Sequence, residues 1–320
     1  MTATTPPPPP TTRGRTPWLL IAGVVALAII AGVLGFMLLG KKPAVPLASQ
    51  TPVPTPEPTL NAALLDQRMT VLLLGLDSDE RRRQQDKGVN SDTIMVASIN
   101  ADQSEVALVS LPRDTVDIPL PDGTTWTQKV NAIYSQQGAA GVQAAVESLL
   151  RIDINYYVQI DMGDLADMVD AVGGVRVRPK EPLVDDHLKL NLRAGPQVLD
   201  GKTAEAYVRS RYTTNDFERA GRQQEVLLQI VKKLVAAHAG VDIGGLLDSL
   251  ASFDSDLPIG DMPTLVELAR RAQSAKVVTR VLDPNHGFIT FAGDQGDGRG
   301  YVLEPNIDAM RQFAARHLRD

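Results

Sequence analysis

The chain contains no cysteine, and only four histidines occur in its 320 residues. No disulfide can staple it, and no Cys or His spacing offers a zinc site. Aromatic residues make up 4% of the sequence, so a folded core must rest on Leu, Val, Ile and Ala. Neither G-x-x-x-x-G-K-[ST] nor G-x-S-x-G is present, which argues against a P-loop and against a nucleophile elbow. No internal repeat appears. Positive charge is in deficit: 38 Asp and Glu stand against 32 Lys and Arg, for a net charge of −6. Nucleic acid is therefore not an expected partner.

One stretch is uncharged throughout. Trp18 to Leu39 reads WLLIAGVVALAIIAGVLGFMLL. As a helix it reaches about 33 Å at ~1.5 Å per residue, enough to cross a bilayer. A cleaved signal peptide is the rival reading, but its apolar core is usually only ~7–15 residues long. Arg13 and Arg15 precede the run and Lys41 and Lys42 follow it, so the flanking charges tie. The Pro/Thr-rich segment that follows suits a semi-rigid spacer holding a domain off a membrane surface. The expected organisation is a disordered cytoplasmic tail over 1–17, a transmembrane anchor over 18–39, a linker over 40–65 and an extracytoplasmic domain over 66–320. The localisation that follows is the cell membrane, with a single pass.

Beyond the linker, strands and helices alternate. Met69–Leu76, Thr93–Ile99 and Glu105–Leu111 are short apolar runs suited to buried strands, and Tyr156–Ile160 is another. Apolar spacing predicts helices over Gly138–Leu150 and Gln224–Ala237. Asp200 is a candidate N-cap for a helix through Ala206. Pro263–Ala272 and then Lys276–Leu282 repeat helix followed by strand, and Asn306–Leu318 ends the chain as a helix. The expected fold class is α/β: a layered α-β-α domain around a mixed sheet, preceded by one transmembrane helix.

Chemistry concentrates in YVRSRYTTNDFERAGRQQ, from Tyr207 to Gln224. It gathers Arg209, Arg211, Arg219 and Arg222 beside Gln223 and Gln224. Guanidinium forks match phosphate oxygens in pairs and stay charged, so this knot suggests a phosphate-bearing ligand. Ion pairing with Asp216, Glu218 and Glu225 is the structural alternative. Three further clusters sit at strand ends: GLDS (Gly75–Ser78), NSDT (Asn90–Thr93) and SLPRDT (Ser110–Thr115). Ligands of open α/β sheets gather at the carboxyl ends of strands, which suits Asp77, Arg113 and Asp114. Asp92 stands at the start of its strand and joins them only if that strand is antiparallel to theirs. Two carboxylates near arginines suggest a divalent cation such as Mg²⁺. GDQGDGRG (Gly293–Gly300) reads as a surface loop.

These pieces, with KVNAIY, MVDAVGGV and LDGKTAEAYVRSRY, resemble the LytR–CpsA–Psr family of cell-wall ligases, over roughly Met69 to Leu234. The resemblance implies a phosphotransferase. Its donor would be a glycan linked to polyprenyl pyrophosphate, and its acceptor a sugar hydroxyl of peptidoglycan or a related wall polymer. It also implies that Asp77 and Asp92 hold Mg²⁺. Arg113, Arg209, Arg211 and Arg219 would face the pyrophosphate, with Gln223 and Lys129 beside them, and an apolar groove would hold the lipid tail. The sequence departs from the family's usual arginines at Asn90 and Asp79, where Arg81, Arg82, Arg83 or Lys87 could compensate. The attacking hydroxyl needs a base, and Asp114 and Asp216 are both candidates. Two rival readings keep the same ligand: a pyrophosphatase that uses water as acceptor, and a receptor that binds the polyprenyl lipid without turning it over.

Overall fold

The computed structural model describes residues 60–76, 90–211, 215–235, 253–258 and 261–320. The expected tail, the apolar run over 18–39 and most of the linker lie outside the described residues. In chain order the main elements are β1 (Met69–Leu76), β2 (Ser91–Ile99), β3 (Glu105–Leu111), α1 (Ala132–Leu150), β4 (Tyr156–Asp161) and α2 (Met162–Ala171). They continue with α3 (Gly201–Arg209), α4 (Asp216–Val235), α5 (Met262–Ala272), β5 (Lys276–Val281), β6 (Ile289–Asp294), β7 (Tyr301–Pro305) and α6 (Ile307–His317).

The central sheet is mixed, as expected. Its order is β4-β1-β2-β3-β5, with the two-residue strand Asp254–Ser255 on the outer edge of β4. β2 is antiparallel to both β1 and β3, whereas β4 is parallel to β1 and β5 is parallel to β3. Every residue of β1 through Gly75 is buried, so both faces of that strand are covered. Because side chains alternate across a strand, Val71 and Leu73 join one core and Leu72 and Leu74 the other. The first core packs against α2 to α5, through residues such as Met168, Val208, Val226, Ile230 and Leu268. The second packs against α1 and α6, through Val142, Val146, Leu149, Met310 and Ala314. Three layers result, with the sheet in the middle.

Several boundaries differ from the sequence reading for local reasons. α1 begins at Ala132 rather than Gly138; Gly138 adopts φ 64° and ψ −162° and breaks the helix in its second turn. α4 begins at Asp216, eight residues before the expected start at Gln224. Asn215 supplies the reason: its Oδ1 accepts from the Glu218 amide at 2.9 Å and caps the polar first turns. α2 has no counterpart in the sequence reading. It is held by a capping box in which Asp161 accepts from Gly163 and Asp164. Three-residue strand pairs at Val175–Val177 with Gln197–Leu199, and at Leu183–Asp185 with Leu190–Leu192, were likewise not expected.

Helices α2 and α3 touch most closely at Gly201. Its amide donates to Asp170 Oδ1 at 2.7 Å, and a Cβ built there would lie 2.2 Å from the Ala166 carbonyl oxygen. Gly201→Ala must push the helices apart and is expected to cost about 1–3 kcal/mol, the usual penalty of overpacking. Urea unfolding monitored by circular dichroism checks this, and an unchanged midpoint would contradict the packing.

Candidate active site

The site is built where the start of β2 meets the end of β3. Antiparallel pairing puts Ile94 opposite Leu111, so the residues preceding Ile94 lie beside those following Leu111. On the other side of β2, Gly75 pairs with Thr93 and Leu76 with Ser91, leaving Asp92 as the extra residue of a bulge. A bulge bends its strand and re-aims a side chain. The Asp92 carboxylate meets Arg113, with Oδ2 at 2.6 Å from Nη1. The condition attached to Asp92, an antiparallel strand, is thus satisfied.

Pro112 ends β3 and starts a turn, in which Thr115 returns to the Pro112 carbonyl through its amide at 3.1 Å and its hydroxyl at 2.6 Å. The turn presents Arg113 and Asp114. The segment before α1 docks on it, with Val130 donating to the Thr115 carbonyl at 2.8 Å and Asn131 to the Arg113 carbonyl at 3.3 Å. That docking sets Lys129 Nζ 2.9 Å from Asp114 Oδ1.

The arginine segment approaches from the opposite layer. On α4, Asp216, Arg219 and Gln223 recur at helical spacing and share one face. Asp216 Oδ1 is the common counter-charge: Arg219 Nη2 lies at 2.8 Å, Arg113 Nε at 3.5 Å and Arg211 Nη1 at 3.9 Å. These are ion pairs without hydrogen-bond alignment, because Asp216 Oδ1, Arg113 Nε and Arg219 Nε are all buried with no hydrogen-bonding partner. Arg219 also donates to the Asp92 backbone carbonyl at 3.0 Å, tying the helix to the strand end. Arg209, in the last turn of α3, pairs with Glu205 at 2.8 Å.

Burial pulls the Arg113 guanidinium towards a lower pKa, but Asp92, Asp216 and Asp114 outweigh it and hold the pKa above its ordinary value. Arg219 is the reverse case. Burial, opposed by Asp216 and reinforced by Arg113 and Arg211, lowers its pKa to about 10, so it is still cationic at neutral pH. Across the cluster four cations (Arg113, Lys129, Arg211, Arg219) face three carboxylates (Asp92, Asp114, Asp216), leaving positive charge in surplus inside an acidic chain.

Two cavities meet at this cluster. A cleft of about 650 Å³ is lined by Asn90, Asp92, Arg113, Asp114, Lys129 and Arg211, with Gln128, Asn131, Ala132 and the Asp297–Arg299 stretch on its walls. A smaller pocket of about 210 Å³ is lined by Asp92, Arg209, Arg211, Arg219 and Gln223, with Leu188 and Val208. Asp92 and Arg211 belong to both. Of the predicted site residues that are described, Asp92, Arg113, Asp114, Lys129, Arg209, Arg211, Arg219 and Gln223 line one or both, whereas the second candidate base, Asp216, lines neither. Most of the residues lining both cavities are polar or charged, and neither is the long apolar groove expected for a lipid tail.

Asp77, Asp79, Arg81, Arg82, Arg83 and Lys87 lie outside the described residues. Among the described residues no group of three or more His, Cys, Asp or Glu side chains is arranged to hold a metal. The donor chemistry still fits Mg²⁺, which binds through one or two carboxylates and takes phosphate oxygens for the rest. Asp92 offers one hard oxygen ligand in both cavities, and Leu76, the residue before Asp77, pairs with the neighbouring Ser91.

Three features went unread in the sequence. The Gly293–Gly300 segment is a hairpin tip, and its outer part forms a wall of the larger cleft. It is fixed there by Arg299, whose Nη1 donates to the Thr127 carbonyl at 2.9 Å and pairs with Asp117 at 3.2 Å. Leu188 comes from a turn that gave no signal. Gln224 points to the sheet, donating to Ser110 Oγ at 2.8 Å and locking α4 onto β3. Arg222 does not face a cavity. It is buried, donates to the carbonyls of Tyr207 and Ser210, and stacks over the Tyr207 ring at 5.6 Å.

The fold is that of a recognisable protein class. The LytR_cpsA_psr family profile matches residues 39–314, and the chain belongs to that family. It is 36% identical over 240 residues to a polyisoprenyl-teichoic acid–peptidoglycan teichoic acid transferase, TagU, of Enterococcus faecalis, covering 73% of this chain and 72% of that protein. It is 41% identical over 138 residues to a probable cell wall biosynthesis protein, LcpB, of Corynebacterium glutamicum, covering 42% of this chain but 32% of that one. The crystal structure of B. subtilis TagV shares the fold, with a TM-score of 0.64 at 24% identity over 79% of this chain and 98% of that one.

The arginines divide by role, and stability separates them. Arg222→Ala removes the donor to two helix-end carbonyls and should lower the unfolding free energy by about 1–3 kcal/mol for each acceptor left buried and unpaired. Arg211→Ala, at a half-exposed position, should stay within about 0.5 kcal/mol of the parent. Denaturant titration of both variants decides; equal losses would mean that Arg211 is as structural as Arg222.

Proposed function

We propose that the protein is a membrane-anchored, Mg²⁺-dependent phosphotransferase. It would move a glycopolymer phosphate from a polyprenyl-pyrophosphate carrier to a sugar hydroxyl of peptidoglycan or a related wall polymer. Membership of the family and the transferase name of the E. faecalis relative support a cell-wall glycopolymer transferase. The observation that carries the finer reading is the convergence of Arg113, Arg211 and Arg219 on Asp216, beside the Asp114–Lys129 pair.

A bridging pyrophosphate carries two negative charges that repel an incoming oxygen. Arg209, Arg211, Arg219 and Gln223 would hold those phosphates in the smaller pocket, and Arg113 would face the phosphorus under attack from the larger cleft. Guanidiniums fixed before the reaction need no reorganisation as charge develops. The surplus of positive charge among the side chains is smaller than the ligand's charge. A Mg²⁺ held by Asp92, with Asp77 as second carboxylate, would supply the shortfall.

The geometry favours Asp114 over Asp216 as the base. Asp216 Oδ1 is crowded by three guanidiniums and does not line the larger cleft, whereas Asp114 does. In the step proposed here the acceptor hydroxyl forms its bond to phosphorus as its proton passes to Asp114. The bond to the polyprenyl phosphate breaks, and that phosphate leaves with the electron pair among the arginines. Lys129, 2.9 Å from Asp114, would orient the carboxylate. An anchor over 18–39 and a stiff spacer would keep the domain near a lipid-borne donor, raising its effective concentration.

The test is transfer of a labelled glycan from synthetic polyprenyl pyrophosphate to wall polymer. Arg209→Ala and Arg211→Ala are each expected to lower the rate on the order of 10²–10³-fold. Chelation with EDTA is expected to abolish transfer and added Mg²⁺ to restore it. Near-parental transfer by both variants removes the arginines from the chemistry, and full activity in chelator removes Asp77 and Asp92 from a metal role.

A further inference from the structure

Among the described residues, Asp185 stands out as a buried carboxylate. It ends the short strand Leu183–Asp185 and is 4% exposed. Its Oδ1 accepts from the amides of His187 at 3.1 Å and Leu188 at 3.2 Å. Its Oδ2 accepts from the Ser210 hydroxyl at 2.8 Å. A buried carboxylate must be met by donors, and these three come from two separate segments that border the smaller pocket. Leu188 lines that pocket, and Ser210 lies between Arg209 and Arg211, which line it too.

Ser210 is the residue at which α3 ends. It leaves the helix in an extended conformation, φ −59° and ψ 135°. Its own side chain is fully buried while both neighbours line the pocket. Two buried charges grip it: Asp185 takes the hydroxyl and Arg222 takes the carbonyl. The direction in which the Arg-Ser-Arg segment points is therefore set by groups that never touch the pocket.

We propose that Asp185 is a positioning residue for pyrophosphate binding, clamping the His187–Leu188 turn to Ser210 and so aiming Arg209 and Arg211 as a pair. The proposal rests on the reading of the smaller pocket as a pyrophosphate site. Without the clamp both arginines stay charged and present, but their forks lose a common orientation, and bidentate capture of a phosphate depends on orientation.

The experiment is calorimetric titration of the full-length chain in detergent micelles with inorganic pyrophosphate and Mg²⁺. Asp185→Ala is expected to weaken binding about tenfold or more, and Asp185→Asn to stay within about threefold of the parent. The Asn carbonyl can still accept from both amides and its NH₂ can meet Ser210 Oγ. Ser210→Ala leaves the turn's two hydrogen bonds intact and is expected to weaken binding about threefold to tenfold, so the proposal stays testable if Asp185→Ala does not fold. Each is combined with Arg209→Ala and with Arg211→Ala. Positioning predicts that the losses do not multiply in at least one pairing, because the clamp has nothing to aim once its arginine is gone. Losses that multiply in every pairing, or an Asp185→Asn variant as weak as Asp185→Ala, overturn the proposal. A flat titration of the parent chain would instead overturn the pyrophosphate reading, and this proposal with it.

Discussion

Guanidiniums brought together at the end of a sheet repel one another, and the site depends on how that repulsion is managed. Asp216 stands among Arg113, Arg211 and Arg219, each within 4 Å of a single carboxylate oxygen. One carboxylate cannot neutralise three cations; Arg113 also draws on Asp92, and the pKa of Arg219 is lowered first by its burial, with Arg113 and Arg211 adding to that against Asp216. The contacts are close but not aligned as hydrogen bonds, so the cluster is electrostatically bound and still has capacity for oxygen acceptors. In the proposed function, phosphate oxygens of the donor would take up that capacity. The position of Asp216 in the first turn of α4 also suits it, since a negative charge is favoured at a helix N-terminus.

The partners of that carboxylate come from three places in the fold, and sheet topology makes their meeting possible. With β2 antiparallel to both neighbours, the residue before a strand and the residues after its neighbours share one edge of the sheet. The bulge at Asp92 turns its side chain to Arg113, and Arg219 closes the triangle by donating to the Asp92 carbonyl. Gln224, one position past Gln223, anchors the same helix to Ser110 beneath the SLPRD turn. Neighbouring residues on α4 thus have opposite tasks: Arg219 and Gln223 line a pocket, while Arg222 and Gln224 fasten the helix to α3 and β3.

Much of this was readable because local signals and tertiary roles coincide. Met69–Leu76 and Glu105–Leu111 are continuous apolar runs of strand length, and they form strands with those bounds because both of their faces are buried. The four-arginine knot was visible as a departure from an acidic background. What escaped notice has its cause in distant contacts. The first turns of α4 are polar because they face charges rather than a core, so apolar periodicity begins only near Val226. Three-residue strands carry too few residues to show a period. The Gly293–Gly300 tip looks like any glycine-rich loop; what makes it a cleft wall is Arg299 reaching Asp117 and Thr127, more than 170 residues earlier in the chain.

Under the proposed function, that wall bears on how one site would serve two substrates of different character. The arginine-lined pocket is small, with Arg209 and Arg219 drawn from helices fastened to each other by Arg222 and Arg211 just beyond the end of α3. The larger cleft is bounded by loops: the Asp114 turn, the Gln128–Lys129 segment and the hairpin tip. A pyrophosphate is chemically invariant whatever glycan it carries, so a fixed guanidinium frame suits it. An acceptor polymer varies in its sugars, and loops on a rigid scaffold are where such variation is accommodated. The hairpin is nonetheless tied to the chemistry, because the β7 residue Leu303 exchanges backbone hydrogen bonds at 3.0 Å with Asp114 and Val116. The hairpin is thereby joined through β7 to the segment that bears Asp114, the residue proposed to receive the proton.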